Sequence, residues 1–168
     1  VYGAPLGLGT SAYTLSSGSL GTGDAITSVT LKQNTNTTVP GTQDAGTYSG
    51  GTSGILASSA SGTGGFNTTN YAITYNPGTL TIDKAPLGVS VSGTYNGTKS
   101  YVNGAGDTVV TFTGLQNSQS LAGATVGLLA QDVSANSANY VTSVTPGGSD
   151  TASMNNYSIT LARNASSG

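Results

Sequence analysis

Along residues 70–87, NYAITYNPGTLTIDKAPL, apolar and polar side chains alternate in two runs. Tyr71, Ile73 and Tyr75 interleave with Ala72 and Thr74, and Leu80 and Ile82 interleave with Thr79, Thr81 and Asp83. A period of two sends successive side chains to opposite faces, so the stretch predicts two half-buried strands. Between them Asn76-Pro77-Gly78 predicts a type II turn, because proline presets φ at the first central position and glycine accepts φ > 0 at the second. Part of the pattern returns as Asn156-Tyr157-Ser158-Ile159-Thr160-Leu161, 86 positions after Asn70 in a chain of 168 residues. That spacing predicts two tandem β-domains, 1–84 and 85–168, joined by a linker at Lys84-Ala85-Pro86.

The remaining chain reads as short strands between polar turns. Tyr13 and Leu15 predict a strand over 11–16. In residues 25–33, AITSVTLKQ, Ile26 is out of step with Val29 and Leu31, as a bulge would produce. Residues 34–41 read as a polar loop, 45–48 and 54–58 as short strands, and the Gly/Ser/Thr/Asn-rich 59–70 as a surface loop. After the linker, Leu87, Val89 and Val91 face one way and Gly88, Ser90 and Ser92 the other. Asn96-Gly97 within Tyr95-Asn96-Gly97-Thr98 is a hairpin signal. Strands follow over 108–113, from Thr125, over 140–145 and over 156–161. The stretch 118–133 is open to either a short helix or a strand on periodicity, and its glycines favour the strand. Short strands at this spacing, separated by Gly-rich turns, predict an all-β fold of two tandem small β-sandwich (Ig-like) domains in an elongated chain.

Composition narrows the picture. Charged residues make up only 6% of the chain and the formal net charge is −2, which gives no electrostatic footprint for nucleic acid or anionic membrane. Leu, Ile, Val and Phe together lie near the disorder boundary of about 20%, but nine tyrosines in strand-like runs argue for a folded chain. With no cysteine, neither a disulfide framework nor a thiolate zinc site is available. No run approaches the roughly 20 apolar residues of a spanning helix, and no signal-peptide pattern opens the chain. The abrupt start and stop fit a piece of something longer.

The order Val1-Tyr2-Gly3, Gly23-Asp24, Ala45-Gly46-Thr47-Tyr48, Asn70-Tyr71-Ala72-Ile73-Thr74-Tyr75, Gly78-Thr79-Leu80-Thr81-Ile82 and Lys84-Ala85 resembles an MBG-type repeat. The second half resembles a YDG-type repeat through Tyr95-Asn96-Gly97-Thr98, Gly106-Asp107 and Asn156-Tyr157-Ser158-Ile159, with Asn96 where Asp is usual. The resemblance implies an MBG-like β-domain over 1–84 and a YDG-like β-domain over 85–168. Such repeats occur in tandem in large bacterial surface adhesins, including those similar to filamentous haemagglutinin, where they are taken to form the stalk. Residues 163–168 contain no match to the GTLTI strand of the first half, so the second domain is expected to lack its last strand or to receive it from elsewhere.

Candidate chemistry is sparse. His, Cys, Glu and Trp are absent, which excludes a Ser-His-Asp triad, a cysteine nucleophile and a histidine-ligated metal. Asp24, Asp44, Asp83, Asp107, Asp132 and Asp150 are the only side-chain carboxylates, and none lies within two positions of another, so no DxD calcium loop exists. A glycosidase-like pair meeting in space is the remaining acid–base option, set against turn and cap roles for Asp24 and Asp107 after glycine. Residues 93–100, GTYNGTKS, lack the phosphate-loop spacing. Lys32, Lys84 and Lys99 fall in strand ends or loops, where a Ser–Lys dyad lacks the burial it needs. A Lys–Asn isopeptide bond wants a buried carboxylate beside the pair, and Asp alone is available to supply it. Asn36, Asn67, Asn96, Asn156 and Asn164 satisfy N-x-[ST]. Tyr71, Tyr75 and Tyr157 read as packing residues with hydroxyls reaching the surface, and Tyr101 as an exposed ring able to stack on a sugar.

These readings assign no catalytic residue, no metal site and no cofactor. The expected function is a non-catalytic stalk segment of an extracellular or surface-attached bacterial adhesin, whose partners are neighbouring repeats or other copies of the chain, without nucleic acid or membrane insertion. Two alternatives stand beside it. One is a self-assembling filament subunit joined by β-strand addition at the truncated end. The other is an adhesin module that binds host or matrix glycans or proteins through residues 59–70 or 134–139.

Overall fold

A computed structural model describes residues 1–92, 97–106, 109–129 and 141–161. Its strands are β1 (Leu6–Gly7), β2 (Ala25–Gln33), β3 (Thr38–Val39), β4 (Gly46–Tyr48), β5 (Ile55–Thr63), β6 (Leu80–Ile82), β7 (Ala85–Ser92), β8 (Ser100–Val102), β9 (Val109–Thr113), β10 (Thr125–Leu128), β11 (Val141–Thr145) and β12 (Tyr157–Leu161). Two 3₁₀ turns, Thr68–Asn70 and Met154–Asn156, are the helical elements among the described residues. The protein is all-β, with several sheets. It divides into two compact units, Ala4–Ile82 and Asp83–Gly168, and Val1–Gly3 belongs with the latter.

In the 4–82 unit all three sheets have two strands: β1–β3, β2–β5 and β4–β6. The β2–β5 pair is the longest, and its register explains the uneven pattern of 25–33. From Ile26↔Gly62 to Ser28↔Ser61, β2 advances two residues while β5 advances one; from Ser28↔Ser61 to Thr30↔Ser58 the advance is two against three. Each strand therefore carries one bulge. The first moves Ile26 out of step with Val29, Leu31 and Gln33, and the second leaves Ser59 at φ 52°. Val29, Leu31 and Ala60 form a buried cluster, against which Leu8, Tyr13, Ile26, Ile55, Ala57, Phe66 and Ile73 are only partly covered.

Among the described residues, the 83–168 unit holds two three-stranded sheets, β12-β7-β9 and β11-β10-β8. The period of two in β7 is realised in full: Ala85, Leu87, Val89 and Val91 are buried while Pro86, Ser90 and Ser92 are exposed. Tyr101, Val110, Val126, Leu128, Val141 and Tyr157 supply further buried strand positions, giving a sandwich-like core in which Leu87, Val126 and Val141 are 0% exposed. β12 runs parallel to β7 and β9 antiparallel to it.

Several expectations are corrected. Residues 71–74 keep the predicted alternation of exposure, Tyr75 is 37% exposed, and none of the five joins a ladder. A period of two fixes which face a side chain occupies, not whether the backbone has a partner. Asn76-Pro77-Gly78 is not a type II turn: Gly78 lacks the positive φ that turn requires and instead forms a bridge with Ile55, with N–H···O distances of 2.7 and 2.9 Å. No strand forms over 11–16, and Leu15 is 58% exposed. The expected loops are partly strand. Residues 34–41 include β3, and 59–63 lie in β5, where a Cβ on Gly62 would collide with the carbonyl of Ala25. Low β-propensity there reflects close backbone approach, which only glycine permits. Ala85 and Pro86 are not linker but the first residues of β7, a position where proline is tolerated, leaving Asp83 and Lys84 between β6 and β7. The Tyr95-Asn96 half of the hairpin signal, Asp107, Thr108, Asp132, the 134–139 loop, Tyr140 and the 163–168 end lie outside the described residues.

Candidate functional site

The recurrence at Asn70 and Asn156 marks the most elaborate side-chain arrangement in each unit. In both, a 3₁₀ turn closes on the asparagine: Asn70 N–H donates to Asn67 C=O and Asn156 N–H to Ser153 C=O, each at 3.0 Å. A tyrosine follows and sends its hydroxyl to a distant four-residue turn. Tyr71 Oη accepts from Gly21 N–H at 2.8 Å and donates to Asp24 Oδ2 at 2.5 Å. Tyr157 Oη accepts from Gln116 N–H at 2.9 Å and donates to Gln119 Oε1 at 2.5 Å.

The two target turns are closed alike, Asp24 N–H to Gly21 C=O and Gln119 N–H to Gln116 C=O, each at 3.0 Å. Each tyrosine thus joins the first and fourth residues of a turn through one oxygen, using both its acceptor and its donor capacity. In the first turn Gly23 takes φ 89°, as a type II turn demands. In the second, Asn117 and Ser118 take φ 53° and 56°. Two successive left-handed non-glycine residues are costly and persist where surrounding contacts over-determine them. Tyr157 provides such contacts.

Each clamp ring also packs on a second aromatic. Phe66 stacks on Tyr71 with centroids 5.3 Å apart, and Tyr2 meets Tyr157 edge-on at 5.6 Å and 82°. Tyr2 is 4% exposed and its N–H donates to Asp83 C=O at 2.8 Å, which fastens Val1–Gly3 to the 83–168 unit.

Three more tyrosine hydroxyls satisfy backbone groups where regular pairing is interrupted. Tyr13 Oη donates to Ile26 C=O at 2.7 Å, beside the β2 bulge. Tyr75 Oη accepts from Ala60 N–H at 2.9 Å, beside the β5 bulge. Tyr48 Oη donates to Asp44 C=O at 2.7 Å. The hydroxyls of Tyr71, Tyr75 and Tyr157 are thus each hydrogen-bonded to the protein, that of Tyr71 at an exposed turn. Buried or half-buried backbone groups need partners, and in a chain with few charges tyrosine supplies them.

Two of the candidate aspartates are engaged with turns and loops. Asp24 is taken up by Tyr71. Asp150 caps two loops, accepting from Gly123 N–H at 2.9 Å and Gly147 N–H at 2.7 Å. Among the described residues no three acidic side chains lie close enough to hold a metal ion. Lys84 and Lys99 are exposed and Lys32 half-buried. Tyr101 is 8% exposed, within β8, so the sugar-stacking role is corrected to a core role. Of the glycosylation candidates, Asn156 is 1% exposed and the Asn67 side chain accepts from Thr69 N–H at 3.0 Å, while Asn36 is exposed.

Both clamp phenols hold their protons more tightly than a free tyrosine. For Tyr71 the cause is chiefly its hydrogen bond to Asp24, partly offset by the Gly21 amide; for Tyr157 it is burial, partly offset by the Gln116 amide. A pKa raised in the folded state contributes stability that is complete below the unfolded phenol value of about 10 and is lost as pH rises past it. Thermal unfolding followed by circular dichroism is expected to give a flat melting temperature from pH 5 to 8 and a fall above about pH 10. A strong shift between pH 5 and 8 would contradict this description.

Compared with known proteins, the chain matches no family model, no curated protein and no solved structure.

Proposed function

We propose that these residues are a non-catalytic stalk segment of a bacterial extracellular or cell-surface adhesin, in which successive β-modules set distance and stiffness. The observation that carries this reading is the duplication of one device: a 3₁₀ turn, an Asn-Tyr pair, and a phenol that ties the two ends of a remote turn. Repeating one structural solution along a chain is what an array of spacers requires, and nothing in that solution is reactive. The resemblance of the two halves to MBG-type and YDG-type adhesin repeats points the same way. A formal charge of −2 leaves few ionisable groups through which salt or pH could soften such a spacer.

The test is force spectroscopy on the intact chain held at its two ends. A spacer under load is expected to give two separate unfolding peaks, each releasing about 270 Å for roughly 80 residues at full extension. Smooth extension without peaks would contradict a mechanical role. In parallel, saturable binding of the intact chain to a glycan or matrix protein would favour the binding-module alternative over the spacer.

A further inference from the structure

The two units differ at one place where their sequences agree. Tyr71-Ala72-Ile73-Thr74-Tyr75 corresponds to Tyr157-Ser158-Ile159-Thr160-Leu161, and both follow a 3₁₀ turn and an asparagine. In the 83–168 unit this segment is β12, paired in parallel with β7: Tyr157↔Ala85, Ile159↔Leu87 and Leu161↔Val89. In the 4–82 unit the same segment begins extended at Tyr71 and is unpaired. Residues 72–77 make no backbone hydrogen bond, and Ala72, Thr74, Asn76 and Pro77 are exposed.

The burial of neighbouring residues follows this difference. Beside β7, Asn156 is 1% and Tyr157 3% exposed. Their counterparts Asn70 and Tyr71 are exposed and half-exposed. In the 4–82 unit the cluster of Val29, Leu31 and Ala60 has seven apolar side chains left partly open around it, Ile73 included. No strand of that unit corresponds to β7 with its inward face of Ala85, Leu87, Val89 and Val91.

We propose that residues 71–75 are an acceptor edge for a β-strand of the β7 type: an extended segment outside these 168 residues with small and branched aliphatic side chains at alternate positions, adding in parallel. Internal repetition specifies both register and chemistry. The incoming Ala, Leu and Val positions lie opposite Tyr71, Ile73 and Tyr75, as Ala85, Leu87 and Val89 lie opposite Tyr157, Ile159 and Leu161. Main-chain bonds to an unpaired edge supply affinity, and the alternate side chains supply specificity. The inference holds whether or not the chain serves as a stalk, since it depends on comparing the two units alone.

Two probes test it on the full chain. The first is the peptide DKAPLGVSVS, titrated in solution. The second is the same sequence joined ahead of Val1 by a flexible Gly/Ser linker, which raises its effective concentration to about millimolar and so reveals weak association. Hydrogen exchange read by NMR is expected to slow by about tenfold or more for amides within 72–75, and the 4–82 unit to melt at higher temperature. A control peptide with its aliphatic residues moved one position along should have no effect, because that slip turns the apolar face outward. The proposal is overturned if neither probe slows those amides, if the control acts equally, or if the amides of β7 lose protection instead, meaning that the peptide displaces β7 from β12.

Discussion

Replacing Tyr157 by alanine is expected to destabilise the 83–168 unit by about 3–5 kcal/mol, the usual cost of removing a buried ring. Three losses coincide there. The ring is 3% exposed, its edge-on contact with Tyr2 disappears, and the 116–119 turn loses the oxygen that joins its ends. Tyr157→Phe separates these contributions, because it keeps the ring and deletes the hydroxyl. Leaving the Gln116 amide and the Gln119 side chain without that partner should cost about 1–3 kcal/mol. Denaturant titration of both variants checks the order. Tyr71→Phe should cost less than Tyr157→Phe, since the turn it serves is exposed and water can replace the phenol. If Tyr157→Phe matched the parent chain, the clamp would have no energetic role.

Leu87→Ala should be comparably severe, at about 2–5 kcal/mol. Leu87 is 0% exposed in β7, the central strand of its sheet, between β12 and β9. The cavity would lie where neither flanking strand can easily close in, which places the cost in the upper part of that range. Val102→Ser offers the contrast: Val102 is 45% exposed at the sheet edge, and surface changes of this kind stay within about 0.5 kcal/mol. Equal midpoints for the two variants in urea would mean that the buried face of β7 does not organise the unit.

Much of the strand content was legible because alternation and burial share one cause. Leu87, Val89 and Val91, Leu80 and Ile82, and the strand from Thr125 lie where a period of two puts them, and the break in step at Ile26 reports a real bulge. Pairing was less legible. Residues 71–75 carry the same alternation as β12 yet have no partner, because nothing in a segment's own period encodes the strand beside it. Proline and glycine at 77 and 78 signalled a turn, but a bridge to Ile55 claims both backbone groups of Gly78. The Ser- and Gly-rich 59–63 concealed a strand, since small residues there accommodate a neighbouring backbone rather than a loop.

The clamps had one signal in the sequence, the recurrence of Asn-Tyr 86 residues apart. What that signal lacked was the second half of each contact. Gly21 and Asp24, like Gln116 and Gln119, lie 38 to 50 residues from their tyrosines. Nothing about a polar turn in isolation indicates that a phenol closes it. The place of Val1–Gly3 was hidden for the same reason: Tyr2 is explained by Tyr157 and Asp83, both far along the chain.

Amide hydrogen exchange at Gly21 and Gln116 tests the account most directly, because both amides donate to a tyrosine hydroxyl rather than to a backbone carbonyl. In the parent chain both should exchange more slowly than neighbouring turn amides. Tyr71→Phe should release Gly21 alone and Tyr157→Phe Gln116 alone, with the amides of β7 and β10 still protected. Protection at Gly21 and Gln116 that survives loss of the hydroxyls would contradict it.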